Sequence, residues 1–372
     1  MMSDAMKRSP LPLSEPLKFA VLFGGKFAEH DANVFGFKYL YEEYTKTCSD
    51  KDLSFTTAYY LTRDGEVLIS PIDVAQAAVH YSQCEGKTTV SVTDAFKQIQ
   101  AQGEFLFLLC DGPYGTSGRF HNLADMFGIQ GTFGSVLSLS LSRSKYHLGQ
   151  FVSGNYEGIF IPETRYLTSE GQVAQILEVF DGTRVVIKPN ALGSSLFTER
   201  FWCCPENLEE MEALVRNILE YDHRVLIQEY VNGAEYTCYC LERQGEMEIV
   251  GIKQFETPDH FLTSQDKYTS NQRVQARYVS EKEGNSPAIA RMRAFSRELF
   301  RDADFQNLCR MDFIITPEDR VYFLENNANP AFKGFINAFK EKWPSYSVLD
   351  MMQICIGNEL RRPVKKTAIR FL

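Results

Sequence analysis

Four polar residues, Arg310, Asp312, Glu325 and Asn327, interrupt the otherwise apolar stretch "CRMDFIITPEDRVYFLENNANPAF", Cys309 to Phe332, where a buried strand pair would want hydrocarbon. β-prone runs flank the turn chemistry of Thr316-Pro317-Glu318-Asp319-Arg320, so the stretch reads as a hairpin. With Pro317 to Arg320 as the loop, Thr316 faces Val321, Asp312 lies opposite Glu325, and Arg310 opposite Asn327. Strand alternation then groups those four with Ile314 and Phe323 on one face, and Met311, Phe313, Ile315, Tyr322 and Leu324 on the other. Cross-strand Cβ atoms lie about 5 Å apart, so the two carboxylates repel unless a cation separates them. Two carboxylates and an amide oxygen are hard ligands of the kind that hold Mg2+ beside substrate phosphates. The same four residues would also suit a solvated salt network on a surface hairpin.

Lys188 ends the apolar run of "VVIKPNALGSS", just before a loop containing Gly193, Ser194 and Ser195. A lysine so placed reaches an anion as a compact charge, while backbone N–H groups and hydroxyls of the loop cover it. Chance surface placement is the plainer alternative for a lone lysine before a Gly-Ser loop. Glu29 likewise has a structural alternative as a first-turn acid favoured by a helix dipole.

The elements that must position these residues are those of a mixed α/β chain. "KFAVLFGG" is a buried-strand run ending in paired glycines and leads into helix-like spacing from Lys26 to Tyr44. "EFLFLLCDGPYG" ends a second apolar run in a Gly-Pro turn, the carboxyl end of a parallel strand where α/β sheets place their ligand crevices. "PENLEEMEALVRNILEY" spaces Leu208, Met211, Val215, Ile218 and Leu219 on one helix face. "VLIQEYVNGAEYTCYCLE" alternates like paired strands around Asn232-Gly233, and Ser286-Pro287 caps a further helix. The 372 residues suffice for two or three domains, and 44% hydrophobic with 23% charged is ordinary globular composition. A net charge of −9 disfavours nucleic acid and anionic membrane as partners and leaves small molecules or proteins. Nine cysteines show no C-x-x-C spacing, which fits free thiols in a cytoplasmic protein. The first 16 residues contain no apolar run of signal-peptide length and are expected to be a disordered tail.

Lys145, Lys188, the stretch Gln228 to Glu235, and then Asp312, Glu325 and Asn327 follow one another in the order of an ATP-grasp enzyme. From about Lys18 to Gly357 the chain resembles the D-alanine:D-alanine ligase family. "AVLFGGKFAEHDAN" resembles its opening strand and Glu-His motif, "DGPYGTSGRFHNLADMFGIQGTFGS" its His-Gly-x-x-Gly-Glu-Asp-Gly segment, and "VVIKPNALGSS" its phosphate-covering loop. "CRMDF" and "LENNANPAF" resemble its Arg-x-Asp and Glu-x-Asn-x-x-Pro-Gly signatures.

The resemblance implies an α/β (α+β) architecture: an ATP-grasp fold with an N-terminal Rossmann-like α/β domain. It implies a substrate domain over 17–120, a central ATP-grasp domain over 121–228, and a C-terminal ATP-grasp domain with the metal and catalytic site over 229–364. It implies ATP and two Mg2+ ions, Mn2+ being able to substitute, with Asp312, Glu325 and Asn327 as metal ligands. Lys145 and Lys188 would contact phosphates under the cover of Gly193 and Ser195, Glu229 and Val231 the adenine, and Glu235 the ribose hydroxyls. Lys267 and Tyr268 match a closing loop, with Tyr268 bonding Ser194 and Glu29 completing that link and facing a substrate amine. Arg310, with a backbone N–H near Ala331, would hold the oxyanion of a tetrahedral intermediate, and Asp111, Asn329 and Ala331 would lie against substrate. The implied reaction joins an amino acid's amine to a phosphate-activated carbon in a cytoplasmic homodimer.

The substrate half departs from the family pattern. Asp111 stands at a histidine position, Thr116-Ser117 at Glu-Asp, Asn33 at a serine and Ala331 at a glycine. "FKGFINAF" replaces the Ser-His-Ser-type stretch that anchors the second D-alanine's carboxylate. Its Phe332, Phe335 and Phe339 suit packing, or a larger and flatter substrate. These departures point to specialised metabolism, with D-alanine:D-alanine ligation, a mycosporine-type ligase using a cyclohexenone substrate, a kinase-like phosphotransferase and an inactive nucleotide-binding regulator as alternatives.

Overall fold

The computed structural model describes residues 16–47, 53–71, 88–132, 134–193, 195–256, 274–280, 283–330 and 332–362. Three sheets position the site. The first comprises β1 (Leu17–Gly24), β2 (Leu53–Leu61), β3 (Val67–Pro71) and β4 (Phe105–Leu109), in the order β3-β2-β1-β4. β1 runs parallel to both β2 and β4, and β3 is an antiparallel edge. Its helices are α1 (His30–Thr47), α2 (Val92–Gln102) and α3 (Arg119–Met126). Phe19, Val21 and Phe23 of β1 pack with Phe37 and Leu40 of α1, whereas Ala20 and Leu22 pack with Phe96 and Ile99 of α2 and Phe120 of α3. A strand covered on both faces has no polar side, which is why "KFAVLFG" does not alternate. At the β1 terminus Gly24 has φ +95° and a Cβ there would strike the Leu61 carbonyl, so the turn into α1 requires glycine.

The chain continues through α4 (Val136–Arg143), α5 (Lys145–Val152) and β5 (Ile159–Phe160) to a second, wholly antiparallel sheet. This contains β6 (Thr164–Leu167), β7 (Thr183–Pro189), β8 (Glu199–Cys203) and β9 (Val225–Glu229), in the order β6-β9-β7-β8. The short α6 (Leu177–Phe180) and the amphipathic α7 (Leu208–Leu219) cover one face, α7 burying Met211, Leu214, Val215 and Ile218.

The third sheet is built from β10 (Ala234–Arg243), β11 (Glu246–Glu256), β12 (Gln275–Tyr278), β13 (Leu308–Ile315) and β14 (Val321–Asn327). Its order is β12-β11-β10-β13-β14-β5, so β5 joins it as a parallel edge. Leu139 of α4 and Leu148 and Val152 of α5 share its core with Met311, Phe313 and Phe323. α8 (Pro287–Asp302) starts as expected at Ser286, whose hydroxyl accepts from Ile289 N–H at 3.3 Å. α9 (Phe332–Lys342) and α10 (Val348–Arg361) bury Phe335, Phe339, Met351 and Ile356 in the same core as Phe19 and Phe37.

Two expectations need correction. β9 and β10 do not pair around Asn232-Gly233, for β9 belongs to the second sheet and β10 to the third. Each strand is buried on both faces, β9 over the consecutive Val225 to Gln228 and β10 over Thr237 to Leu241, so a local pattern cannot say which sheet a strand joins. Gly233 instead passes so close to β13 that a Cβ there would strike the Ile315 carbonyl. The hairpin β13–β14 has a five-residue loop, Thr316 N–H donating to Arg320 O at 3.0 Å, and Ile315 faces Val321. A bulge between Asp312 and Phe313 then restores the expected pairs Asp312–Glu325 and Arg310–Asn327. It also exchanges three side chains: Phe323 turns into the core beside Phe313 and Phe295, Leu324 turns out beside Ile314, and Tyr322 pairs with Ile314 and leaves the packing face expected for it.

Among the described residues every cysteine is free, and all but Cys204 are buried. Among them too, no helix is long and apolar enough to cross a membrane.

Candidate active site

The polar face of the β13–β14 hairpin opens into a cleft between the second and third sheets. Asp312 is buried, and both its oxygens are engaged: Thr237 Oγ1 donates to Oδ1 at 2.6 Å and Arg310 Nη2 to Oδ2 at 2.9 Å. Glu325 meets Lys145 Nζ at 3.3 Å and lies 4.0 Å from Arg310 Nη2. Burial alone would lower the Arg310 pKa, but Asp312, Tyr239 and Glu325 outweigh it and raise it, so the guanidinium stays charged. Its Nε is buried and, among the described residues, has no hydrogen-bond partner. Such an unsatisfied donor costs about 1–3 kcal/mol and is suited to an acceptor that arrives with substrate.

Among the described residues no group of three or more His, Cys, Asp or Glu side chains could cage a metal ion. Two carboxylates and an amide nevertheless match the needs of Mg2+, which keeps several waters and takes phosphate oxygens in place of a full protein cage. Asp312 and Glu325 therefore fit that ion and are paired with Arg310 and Lys145, while Asn327 stands further along the hairpin as the cross-strand partner of Arg310.

The cleft is lined by Lys145, Lys188, Gly193, Ser195, Glu229, Val231, Glu235, Asp312 and Glu325, together with apolar Val186, Leu192, Ile314 and Leu324. Sequence reading singled out the first nine of these, and did not assign Thr198, Gln228 and Tyr230, which line the cleft as well. Lys145 opens α5 and its Nζ donates to Leu192 O at 2.7 Å, so one cation spans the Gly-Ser loop and the Glu325 strand. Asn190 fixes the loop base: its Oδ1 accepts from Tyr146 N–H at 3.0 Å and its Nδ2 donates to Ser144 Oγ at 3.0 Å. Ser195 has φ +54°, a left-handed residue in the consecutive turns that close the loop. Glu229 accepts from Glu163 N–H through its carboxylate at 3.1 Å and donates its own N–H to Glu163 O at 2.9 Å, and both it and Val231 line the cleft. Arg310 and Asn327 pair two residues beyond Asp312 and Glu325 and do not line it. Ser194, Lys267, Tyr268 and Ala331 lie outside the described residues.

A second cavity, at the carboxyl end of β4, is lined by Asn33, Asp111, His121, Asn329 and Phe332. Asn33 clamps its floor, donating to Gly24 O at 2.8 Å and Asp111 O at 3.0 Å and accepting from Asp111 N–H at 3.0 Å. Burial, then Glu29, pushes the Asp111 carboxyl up to about 6 against Gly112 N–H, Arg310 and Arg143. Asn329 Nδ2 donates to Cys110 O at 3.0 Å, which ties the end of β14 to the end of β4. Phe335 and Phe339 are fully buried and only Phe332 reaches the cavity, so the first two are packing and not a substrate wall. Sequence reading missed Thr237, which only cross-strand register places on Asp312, and Arg143, whose one signal is its nearness to Lys145.

The family model described as "D-ala D-ala ligase C-terminus" matches residues 156–347. The chain belongs to that family. As a member of the D-alanine:D-alanine ligase family it is an ATP-grasp ligase that forms a carbon–nitrogen bond. It is 26% identical over 337 residues to the D-alanine–D-alanine ligase of Macrococcus caseolyticus, covering 85% of this chain and 87% of the relative. The ligase of Streptococcus thermophilus is 24% identical over 362 residues, 91% of this chain and 95% of the relative. The VanG D-Ala:D-Ser ligase from Enterococcus faecalis shares the fold at a TM-score of 0.70 and 18% identity, covering 93% of this chain and all of that one. A D-alanine–D-alanine ligase from Bacillus anthracis, solved with ATP, superposes at 0.62 with 16% identity over 93% of this chain and 98% of that one.

Proposed function

We propose that this ligase uses ATP to activate the carboxylate, or an equivalent oxygen, of one substrate and condenses it with the amine of an amino acid, in a specialised pathway and not in cell-wall synthesis. One observation carries this: the cleft around Lys145, Lys188, Asp312 and Glu325 suits a nucleotide's phosphates, while the cavity at the end of β4 is lined by the Asp111 carboxylate, with the buried Glu29 carboxylate behind it, and so favours an incoming cation.

Mg2+ held by Asp312, Glu325 and Asn327 would offset charge on the transferring phosphate. Lys145 and Lys188 add fixed positive charge on the cleft walls. The activated oxygen leaves as phosphate when the amine nitrogen attacks its carbon, and the amine's proton passes to a neighbouring carboxylate. Arg310, charged and with a buried donor to spare, stabilises the oxyanion formed on that attack. Simple phosphotransfer would have no use for such a group.

The test is an ADP-release screen across D- and L-amino acids, singly and paired with non-amino-acid carboxylates. ADP release that requires one amino acid and one partner of another class supports the reading. Full activity with a single amino acid overturns it.

A further inference from the structure

The corner from Ser142 to Lys145 is tied down on every side but one. Ser142 Oγ donates to Asn326 Oδ1 at 3.0 Å, Ser144 bonds Asn190, and Lys145 bonds Leu192 O and Glu325. Arg143 has a single side-chain hydrogen bond among the described residues, Nη1 to Thr116 Oγ1 at 3.3 Å, and no ion pair within 4 Å. That hydroxyl belongs to the turn that carries Asp111: Thr116 Oγ1 donates to Gly112 O at 2.8 Å, and Gly112 N–H donates to Asp111 Oδ1 at 2.8 Å. Glu29 reaches the same turn, its Oε2 standing 3.0 Å from where a Gly112 Cβ would be. A guanidinium has five donors in a planar fork, so Arg143 holds most of its capacity in reserve beside two carboxylates.

We propose that Arg143 anchors the carboxylate of an amino-acid substrate whose ammonium group is met by Glu29 and Asp111, an assignment that rests on the ligase function proposed above. A zwitterion complements this arrangement at both ends. Its carboxylate takes the open fork in a bidentate pair, and its ammonium relieves the repulsion between the two acids. Arg310 is already committed to Asp312 and does not compete for that carboxylate. Simple amines and amino-acid amides satisfy only the acidic end, so free amino acids are the class selected.

The experiment is calorimetric titration, in the presence of Mg2+ and ADP, of glycine, D- and L-alanine, D- and L-serine and the carboxamide of each. The wild-type protein is expected to bind at least one free amino acid about 30-fold more tightly than its carboxamide, the scale of a charge-assisted bidentate pair. Arg143→Gln should erase that preference, and Arg143→Lys recover part of it, with the affinity for Mg-ATP unchanged in both. An Arg143→Gln variant that keeps the preference overturns the assignment and leaves the ligase function standing. Equal binding of acid and carboxamide by the wild-type protein overturns it without any variant. If no amino acid binds and none stimulates ADP release, both readings fall together.

Discussion

The carboxylate of Glu29 touches two glycines from different parts of the fold: a Cβ on Gly193 would stand 3.2 Å from Oε1, and one on Gly112 3.0 Å from Oε2. Gly193 belongs to the loop after β7 and Gly112 to the turn after β4, so a single buried side chain joins the cleft between the second and third sheets to the end of the first sheet.

Replacing either glycine with alanine separates the two roles. Gly193→Ala crowds Glu29 without a left-handed backbone to strain, and should lower kcat/KM for ADP release about tenfold while the thermal midpoint moves little. Gly112 has φ +98°, so Gly112→Ala adds backbone strain of about 1–3 kcal/mol, measurable by denaturant unfolding. A Gly193→Ala enzyme of native activity would show that Glu29 and the loop work independently.

Glu325→Gln keeps the shape of its side chain and removes one of the two carboxylate charges opposed across the hairpin. ADP release at saturating Mg2+ should fall by roughly 10³-fold or more, and the fold should survive because Glu325 is only half-buried at the cleft edge. Native turnover would return the hairpin to a surface salt network.

Asn33 is a positioning residue. Its amide makes three hydrogen bonds to the backbone of Gly24 and Asp111, and Asn33→Ala leaves those groups unsatisfied in a buried place. The expected loss is about 2–3 kcal/mol in urea unfolding, with a higher KM for the amine substrate and little change for ATP. A change in kcat alone, with stability intact, would contradict the clamp.

The Asp312–Glu325 and Arg310–Asn327 pairs were legible because strand alternation and a turn sequence suffice to register a hairpin near its polar rungs. The bulge was not, since the exchange of Phe323 for Leu324 depends on Phe295 from a distant helix filling the core. The cleft residues Lys145, Lys188, Glu229 and Glu235 could be placed together because each sits at or next to the end of a patterned strand or helix. Arg143 could not, because its meaning comes from Thr116, Glu29 and Asp111, which approach it only in the folded chain.

The Asp111 carboxyl, pushed up to about 6, faces Glu29, Arg143 and Arg310. Its ionised form attracts an ammonium, so KM for the amine substrate should fall as pH rises from about 5 to 7, and Asp111→Asn should flatten that profile. Stability runs the other way. The folded chain holds a proton that the unfolded chain has lost between about pH 4 and 6, so this contribution is present at low pH and disappears as pH rises through 6. A KM independent of pH over that range would remove Asp111 from the amine's surroundings.

Given D-alanine, ATP and Mg2+ alone, the protein should form little or no D-alanyl-D-alanine, although its relatives carry that activity in their names. Two D-alanines bring two carboxylates, one to be activated and one to be held. The helix that follows Pro330 offers the second one Phe335 and Phe339, both fully buried in the core. Asn329 spends an amide hydrogen on Cys110 O, and Asp111 would repel a carboxylate placed near it. A buried carboxylate without a partner costs several kcal/mol, which lowers affinity by orders of magnitude. Arg143 can hold one amino acid, so the arrangement suits a single zwitterion beside a substrate of another class. Chromatography of the products at millimolar D-alanine decides it: efficient dipeptide formation would mean that a second anchor exists and that the ordinary family activity applies.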